Sequence, residues 1–197
     1  MPVTTNGAQR ASHRRSILIG ICLAVAVLVT AGPVSTAAVW APWTSVETYY
    51  LNLLNCTRTG GWVDKYGHCA GYGSGRYSSY VAPLKLSSGL SDLVTRPYSK
   101  LLAARAECTH YLNGTNPGTR LNGAGYRVST WGENIGCRDG YTSAYQAVLT
   151  SHLVFQGEKS TNGGHWKNLK NARFRYVGIG VWVYSGRERL TTDFFAW

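Results

Sequence analysis

The chain has 197 residues, of which 44% are hydrophobic, 15% charged and 12% aromatic, a composition that excludes a disordered protein. The formal charge of +11 makes an acidic partner plausible without naming one.

An apolar run from Ile17 to Ala31 comes first, with Arg10, His13, Arg14 and Arg15 ahead of it and small residues ending at Thr36-Ala37-Ala38 behind it. This is the layout of a secretory signal over residues 1–38. The run is about 15 residues, short of the roughly 20 that cross a bilayer as a helix, so cleavage is favoured over an uncleaved anchor. Arg14-Arg15 leaves the twin-arginine route open. Residues 39–197 have the size of one domain, and losing three arginines and no acid leaves them at +8.

Cys22 leaves with the signal, and Cys56, Cys69, Cys108 and Cys137 reach an oxidising compartment, where two disulfides are expected. Three connectivities are allowed. Local closure favours Cys56 with Cys69 and Cys108 with Cys137, because shorter loops close at lower entropic cost. No CxxC pair points to thiol redox or zinc-ribbon chemistry.

Thr44 and Glu47 have capping-box spacing, and Val46, Tyr49, Tyr50, Leu53 and Leu54 repeat with a helical period, so a first helix is expected over about 44–56. Residues 59–80 form a Gly- and Tyr-rich loop in which Trp62, Tyr66, Tyr72, Tyr77 and Tyr80 alternate with Lys65 and Arg76. Its composition suits contact with glycan or lipid, or simple packing on the domain. A second helix starts near Pro97, carries Leu101, Ala104, Cys108 and Tyr111 on one side, and holds His110 in its last turn. Turns follow from Asn113 to Arg127, then a short strand over about 128–135. Ser143 and Gln146 open a third helix to about Phe155, with Ser151 and His152 read as helix surface. The tail is a hairpin: Tyr176 to Tyr184, a Ser185-Gly186 turn, then Arg189 to Trp197. Helices separated by Gly-rich loops, with strands concentrated late, give an α+β domain whose helices cover an antiparallel sheet.

HExxH, GxSxG, GxxxxGK[ST] and a dinucleotide GxGxxG are all missing, so the common hydrolase and nucleotide classes lose weight. After the signal there remain four histidines and nine acids. Gly163-Gly164 precedes His165 and allows close backbone approach or a positive φ, while Glu133 sits among apolar and small neighbours, where a buried acid needs a partner. Ser151-His152 cannot face each other as a dyad, since neighbours on a helix point about 100° apart. His68 reads as a solvated loop residue.

Leu54-Asn55 with Arg58, His110 with Arg120, Gly132-Glu133-Asn134-Ile135, Glu158 with Gly164-His165-Trp166, and the Val177-Gly178-Ile179-Gly180-Val181 strand occur in one order. The series resembles the CAP superfamily of secreted proteins, which includes cysteine-rich secretory proteins, venom antigen 5 and plant pathogenesis-related class 1 proteins, and in particular the bacterial SCP-like extracellular type. It covers roughly 46–197. The resemblance implies a three-layer α-β-α sandwich with a central antiparallel sheet, and a central cleft in which His110, Glu133, Glu158 and His165 converge. It further implies a divalent cation, Zn²⁺ or another, held by His110 and His165, with Glu133 and Glu158 as the cleft acids. Family members often carry a Trp in the helix before the second acid, where this chain has Ala147-Val148-Leu149.

Two imidazoles can ligate Zn²⁺ while carboxylates orient the rings or accept a proton. The bland alternative is a polar network that only fixes the fold. A Cys108–Cys137 bridge would tie the turn carrying His110 to the segment carrying Glu133, or would merely stabilise a Gly-rich chain. Lys159, Lys167, Lys170, Arg173 and Arg175 surround His165 in sequence and either draw an anionic ligand or form a solvated face.

The expected function is a secreted, non-enzymatic CAP-domain protein whose cleft binds a divalent cation or a small apolar ligand. The alternative is a hydrolase in which the same four residues, through a metal or a His/Glu pair, activate water against peptide or cell-wall bonds. The partner expected is an envelope, glycan, lipid or host-surface component rather than nucleic acid, met by a monomer that is extracellular or anchored at the cell surface.

Overall fold

The computed structural model describes residues 41–197, so the expected signal over 1–38 lies outside the described residues. Along the chain, α1 (Thr44–Arg58) leads through the short strands β1 (Trp62–Val63) and β2 (Cys69–Ala70) to β3 (Lys85–Leu86). A continuous helical run follows, made of α2 (Ser88–Leu90), a π turn (Ser91–Thr95) and α3 (Arg96–Arg105). After it come α4 (Pro117–Gly123), β4 (Thr130–Asp139), α5 (Ala144–Gly157), a 3₁₀ turn (Glu158–Thr161), α6 (Gly164–Lys170) and the pair β5 (Tyr176–Tyr184) and β6 (Arg187–Ala196).

The main sheet runs β3-β5-β6-β4; β4, β6 and β5 are antiparallel, and β3 joins β5 in parallel through two residues. Helices lie on both faces, giving an α-β-α sandwich. On one face Val177, Ile179 and Val181 pack with Tyr50 and Leu54 of α1, Val148 and Phe155 of α5, and Leu169 of α6. This cluster is the main core, as period-2 alternation on β5 requires. The other face of β5 presents Gly178 and Gly180 to the α2–π–α3 run. A Cβ on Gly178 would come within 2.6 Å of the Leu90 side chain, and one on Gly180 within 2.2 Å of the Thr95 backbone. These two glycines therefore set the depth at which the helix sits on the sheet. Gly180→Ala is expected to lower stability by about 1–3 kcal/mol, the usual cost of overpacking, because the neighbour is backbone and cannot swing away. Urea unfolding of the variant checks this; an unchanged midpoint would refute the close-packing argument.

The turn between β5 and β6 is the two-residue Ser185-Gly186 pair, with φ of 48° and 73°. Positive φ at both positions matches the twist that a hairpin demands. The disulfides formed are Cys56–Cys69 and Cys108–Cys137. The first ties the last turns of α1 to β2, so the Gly- and Tyr-rich loop carries a small hairpin of its own.

Several local expectations are corrected. Thr44 is the first helical residue of α1 rather than its cap, and Glu47 is buried against Arg96 instead of closing a capping box. The second helix does not open at Pro97, for the helical run begins after Ser87, whose Oγ accepts from Leu90 N–H. The π turn stands just before Pro97, a residue with no N–H to offer the preceding turn. The run stops at Ala106, which is left-handed at φ 57°, with Glu107 N–H closing on Leu102 O, so Cys108, His110 and Tyr111 are outside the helix. The strand expected over 128–135 is β4, shifted toward the C-terminus to match the length of β6. Finally, Ser151 and His152 are fully buried, because α5 is held between α1 and the sheet. His152 Nε2 meets Thr57 Oγ1 at 2.9 Å, and burial lowers its pKa to about 3, so the ring is neutral.

Candidate functional site

His110 sits on the segment that leaves α3, and three contacts hold that segment. The Cys108–Cys137 bridge fixes it to β4, Tyr98 Oη donates to Thr109 O at 2.8 Å, and Arg120 Nη1 of α4 donates to His110 O at 3.0 Å. The ring then meets Glu133: His110 Nδ1 lies 2.7 Å from Glu133 Oε1. The other carboxylate oxygen accepts from Arg120 Nη2 at 2.5 Å. The Glu133 side chain is only 1% exposed, which would be prohibitive for a carboxylate without this cation and ring. Across the strand pair Glu133 faces Asp193, which is fully buried. Burial first, then the neighbouring Glu133 charge, pushes the Asp193 carboxyl well above the usual carboxylate range.

His165 opens α6. Its Nδ1 lies 2.6 Å from Glu158 Oε1, and its backbone N–H donates to Glu158 Oε2 at 2.8 Å. Burial raises the Glu158 pKa, but the hydrogen bonds from the His165 ring and from the His165 and Trp166 backbone, with the His165 charge, outweigh it and leave the group below its ordinary value. Close approach is the reason for glycine at position 163, where a Cβ would lie 2.4 Å from Glu158 Oε2. The positive φ of this turn falls on Asn162, at 51°, and not on Gly163 or Gly164. Phe155 stacks on the His165 ring at 4.3 Å between centroids.

The two His–Glu pairs reach β4 from opposite faces of the sheet, and β4 is an edge strand. Successive residues of Gly132-Glu133-Asn134 do different work there. Glu133 points to the α3–α4 side. Asn134 points to the α6 side, where its Nδ2 donates to His165 O at 3.2 Å. Asn168 joins the two, donating to Glu133 O at 3.1 Å and to Asn134 Oδ1 at 2.8 Å. Gly132 leaves room for Asn168, whose Oδ1 would be 2.5 Å from an added Cβ.

Each expected histidine is thus paired with an expected acid. Among the described residues, however, no three His, Cys, Asp or Glu side chains come together as a metal-binding group. The carboxylates serve as ring anchors. Nδ1 of each ring is taken, while Nε2 has no hydrogen-bond partner among the described residues, and the side chains of His110 and His165 are 40% and 30% exposed.

Arg120, Asn134, Asn168 and Asp193 received no role from sequence reasoning. Asn134 lies inside the most specific motif, and an acid set between Thr192 and Phe194 on β6 was the available signal for Asp193. In the basic run, Lys170 Nζ donates to Thr57 O, Arg58 O and Ser79 O, and burial, then the charges of Arg58 and Lys159, lower its pKa to about 8. Lys159 Nζ bonds Tyr77 O. These two lysines pin the Gly- and Tyr-rich loop. His68 is exposed and paired with Asp64.

No family model matches the chain, and no curated protein matches it in sequence. Solved structures do match. An extracellular protein containing an SCP domain from Bacillus anthracis is similar with a TM-score of 0.55 at 18% identity, over 78% of this chain and 41% of that one. An outer surface protein of Borrelia burgdorferi gives 0.56 at 14% identity, over 78% and 93%. Na-ASP-1 gives 0.51 at 13% identity, over 76% and 38%. The chain therefore spans less than half of the Bacillus protein and nearly all of the Borrelia one. The fold is the α+β sandwich of these solved structures, one of them an SCP-domain protein, shared at low identity.

Proposed function

We propose that the chain is an exported, non-enzymatic binding protein that takes up a divalent cation, Zn²⁺ first, through Nε2 of His110 and of His165. The observation that carries this reading is the shared geometry of the two rings: a carboxylate fixes Nδ1 of each, and Nε2 is left over on a partly exposed side chain. Metal-ligating histidines are oriented in this way, with a carboxylate on the other nitrogen setting the tautomer. The donors fit Zn²⁺ in kind, and in number they supply two protein ligands, fewer than the three of the usual catalytic centre. Bound there, the cation would offer open positions to water or to an oxygen of a partner. The acids that a hydrolase would use as a base are otherwise engaged, Glu133 by His110 and Arg120, and Glu158 by the ring and backbone of His165. An extracellular setting, free or anchored at the surface, agrees with two disulfides and with the extracellular structural neighbour. The basic surface then suits an acidic envelope, glycan, lipid or host-surface component.

Calorimetric titration of the metal-free protein with Zn²⁺ tests the reading. Binding is expected in the parent, weakened about 10-fold by Glu158→Gln through the loss of ring orientation, and absent from His110→Ala/His165→Ala. Zn²⁺ affinity unchanged in the double variant would overturn it. So would turnover of casein or peptidoglycan that the double variant loses, since that result belongs to the hydrolase reading.

A further inference from the structure

Arg173 and Arg175 line a hollow of about 510 Å³ at the end of the sheet where β6 finishes and β4 and β5 begin. Tyr176 and Trp197 give it an aromatic side, Ser129 and Thr130 bring hydroxyls, and His110, Glu133, Glu158 and His165 take no part in it. The volume falls among small-molecule sites, which span about 300–1,000 Å³.

Its walls are held from several sides. Ser129 N–H donates to Ala196 O at 3.0 Å and its Oγ to Trp197 O at 2.8 Å, while Arg175 N–H donates to Phe195 O at 3.0 Å. Tyr176 stacks on Phe195 at 5.4 Å between centroids, and Trp197 stacks on Tyr126 at 5.7 Å with 14° between the planes. Tyr126 covers one face of Trp197, and a residue exposure of 62% leaves the opposite face for a ligand. Arg175 Nη1 is anchored on Ala172 O and Phe174 O, but its Nε and Nη2 and the whole Arg173 guanidinium have no hydrogen-bond partner among the described residues.

Two cations thus share a hollow with no acid among its lining residues. The planar guanidinium fork matches a carboxylate or phosphate, so an anion set between the two arginines would gain from both. No Leu, Ile, Val or Met lines the hollow, which gives an acyl chain little wall to lie against. A hydroxylated ring suits a Trp face beside two hydroxyl side chains better.

We infer that this hollow binds an anionic sugar, free or as one unit of a polysaccharide, with its carboxylate between Arg173 and Arg175 and its ring over the open face of Trp197. The inference deepens the reading of an exported protein that meets an acidic glycan and rests on that part of it alone, not on the cation.

Trigalacturonate and galacturonate, with the methyl ester of trigalacturonate as the uncharged counterpart, are titrated into the full chain at low salt, where charge pairing at a surface is least screened. The readout is NMR of the Trp197 indole N–H and of the Arg173 and Arg175 Nε–H. Saturable shifts are expected with trigalacturonate, with binding at least about 10-fold weaker for the ester and for Arg173→Gln/Arg175→Gln. Tighter binding of the trimer than of galacturonate marks a polysaccharide as the source and equal binding the free sugar, and either supports the inference. Trp197→Ala should weaken the trimer by a similar factor, and Arg173→Gln alone, which breaks no bond within the domain, keeps the test readable should another variant fold poorly. Lys65→Gln/Lys100→Gln removes the same charge elsewhere and should bind as the parent does. So should His110→Ala/His165→Ala, while Zn²⁺ uptake should be unchanged in the arginine variant, so the two readings fail separately. No saturable shift, ester binding as tight as the acid, or an equal loss in the lysine variant would each overturn the inference. Shifts produced by phosphatidylglycerol vesicles and not by the sugar would mark a lipid surface as the occupant and overturn it as well.

Discussion

Replacing Arg58 by methionine is expected to destabilise the domain by about 3–5 kcal/mol, read as a drop in the urea unfolding midpoint at constant slope. Arg58 is the largest fully buried side chain among the described residues, and its partners are carbonyls rather than acids. Nε donates to Ala82 O at 2.6 Å, Nη1 to Leu169 O at 2.9 Å and Nη2 to Phe174 O at 2.9 Å. One residue at the end of α1 thus gathers the approach to β3, the end of α6 and the approach to β5. Burial first, then the like charge of Arg175, lowers its pKa to about 10, so the cation is held at some cost. Methionine removes that cost and keeps much of the volume, but it strands three carbonyls, each worth about 1–3 kcal/mol when left unmade. Loss of the hydrogen bonds therefore outweighs relief of the charge. Arg58→Lys should fall between parent and methionine, since a single ammonium cannot reach three carbonyls set in a planar fork. A methionine variant within about 1 kcal/mol of the parent would show that the buried cation costs nearly as much as its bonds return.

What the sequence disclosed and what it hid follow from the range of the forces involved. The β5–β6 hairpin was legible because alternation and a Ser-Gly turn are local signals, and α1 and α5 because their apolar residues repeat over several turns. Local rules misled where a tertiary partner outbid them. Glu47 has capping-box spacing from Thr44, yet a buried guanidinium 49 residues away takes its carboxylate. Ser151 and His152 look like the polar side of a helix until the sheet covers the first and α1 the second. The end of α3 was hidden in a single left-handed alanine, which no propensity favours. At the candidate site the histidines and acids could be named only through their order along the chain. Which acid serves which ring could not be named, because Glu133 lies 23 residues from His110 and its partner is set by sheet register. Arg120, which holds both Glu133 and the His110 backbone, was named beside His110 in the motif series, but its partners were not legible there.

A second large effect is expected at the outer edge of β5. β3 covers only Tyr176 and Val177, which leaves the rest of that edge without a neighbouring strand. Side chains complete it: Ile179 N–H donates to Ser91 Oγ at 3.0 Å, and Val181 N–H donates to Glu47 Oε1 at 3.2 Å. An uncovered edge invites pairing with other chains, so this cover protects as well as stabilises. Glu47 also receives Arg96 Nε at 2.8 Å and Nη2 at 2.6 Å, which links α1 on one face of the sheet to α3 on the other around the bare edge. Arg96→Met leaves the Glu47 carboxylate 1% exposed with no cation, and should cost about 3–5 kcal/mol. Adding Glu47→Gln to that variant should restore at least about 2 kcal/mol, because the amide oxygen still accepts from Val181 N–H without bringing charge into the core. Denaturant unfolding of the two single variants and the double variant gives the coupling directly. If Arg96→Met cost less than about 1 kcal/mol, or if Glu47→Gln deepened its loss, the ion pair would not be what binds the two helical layers across the edge.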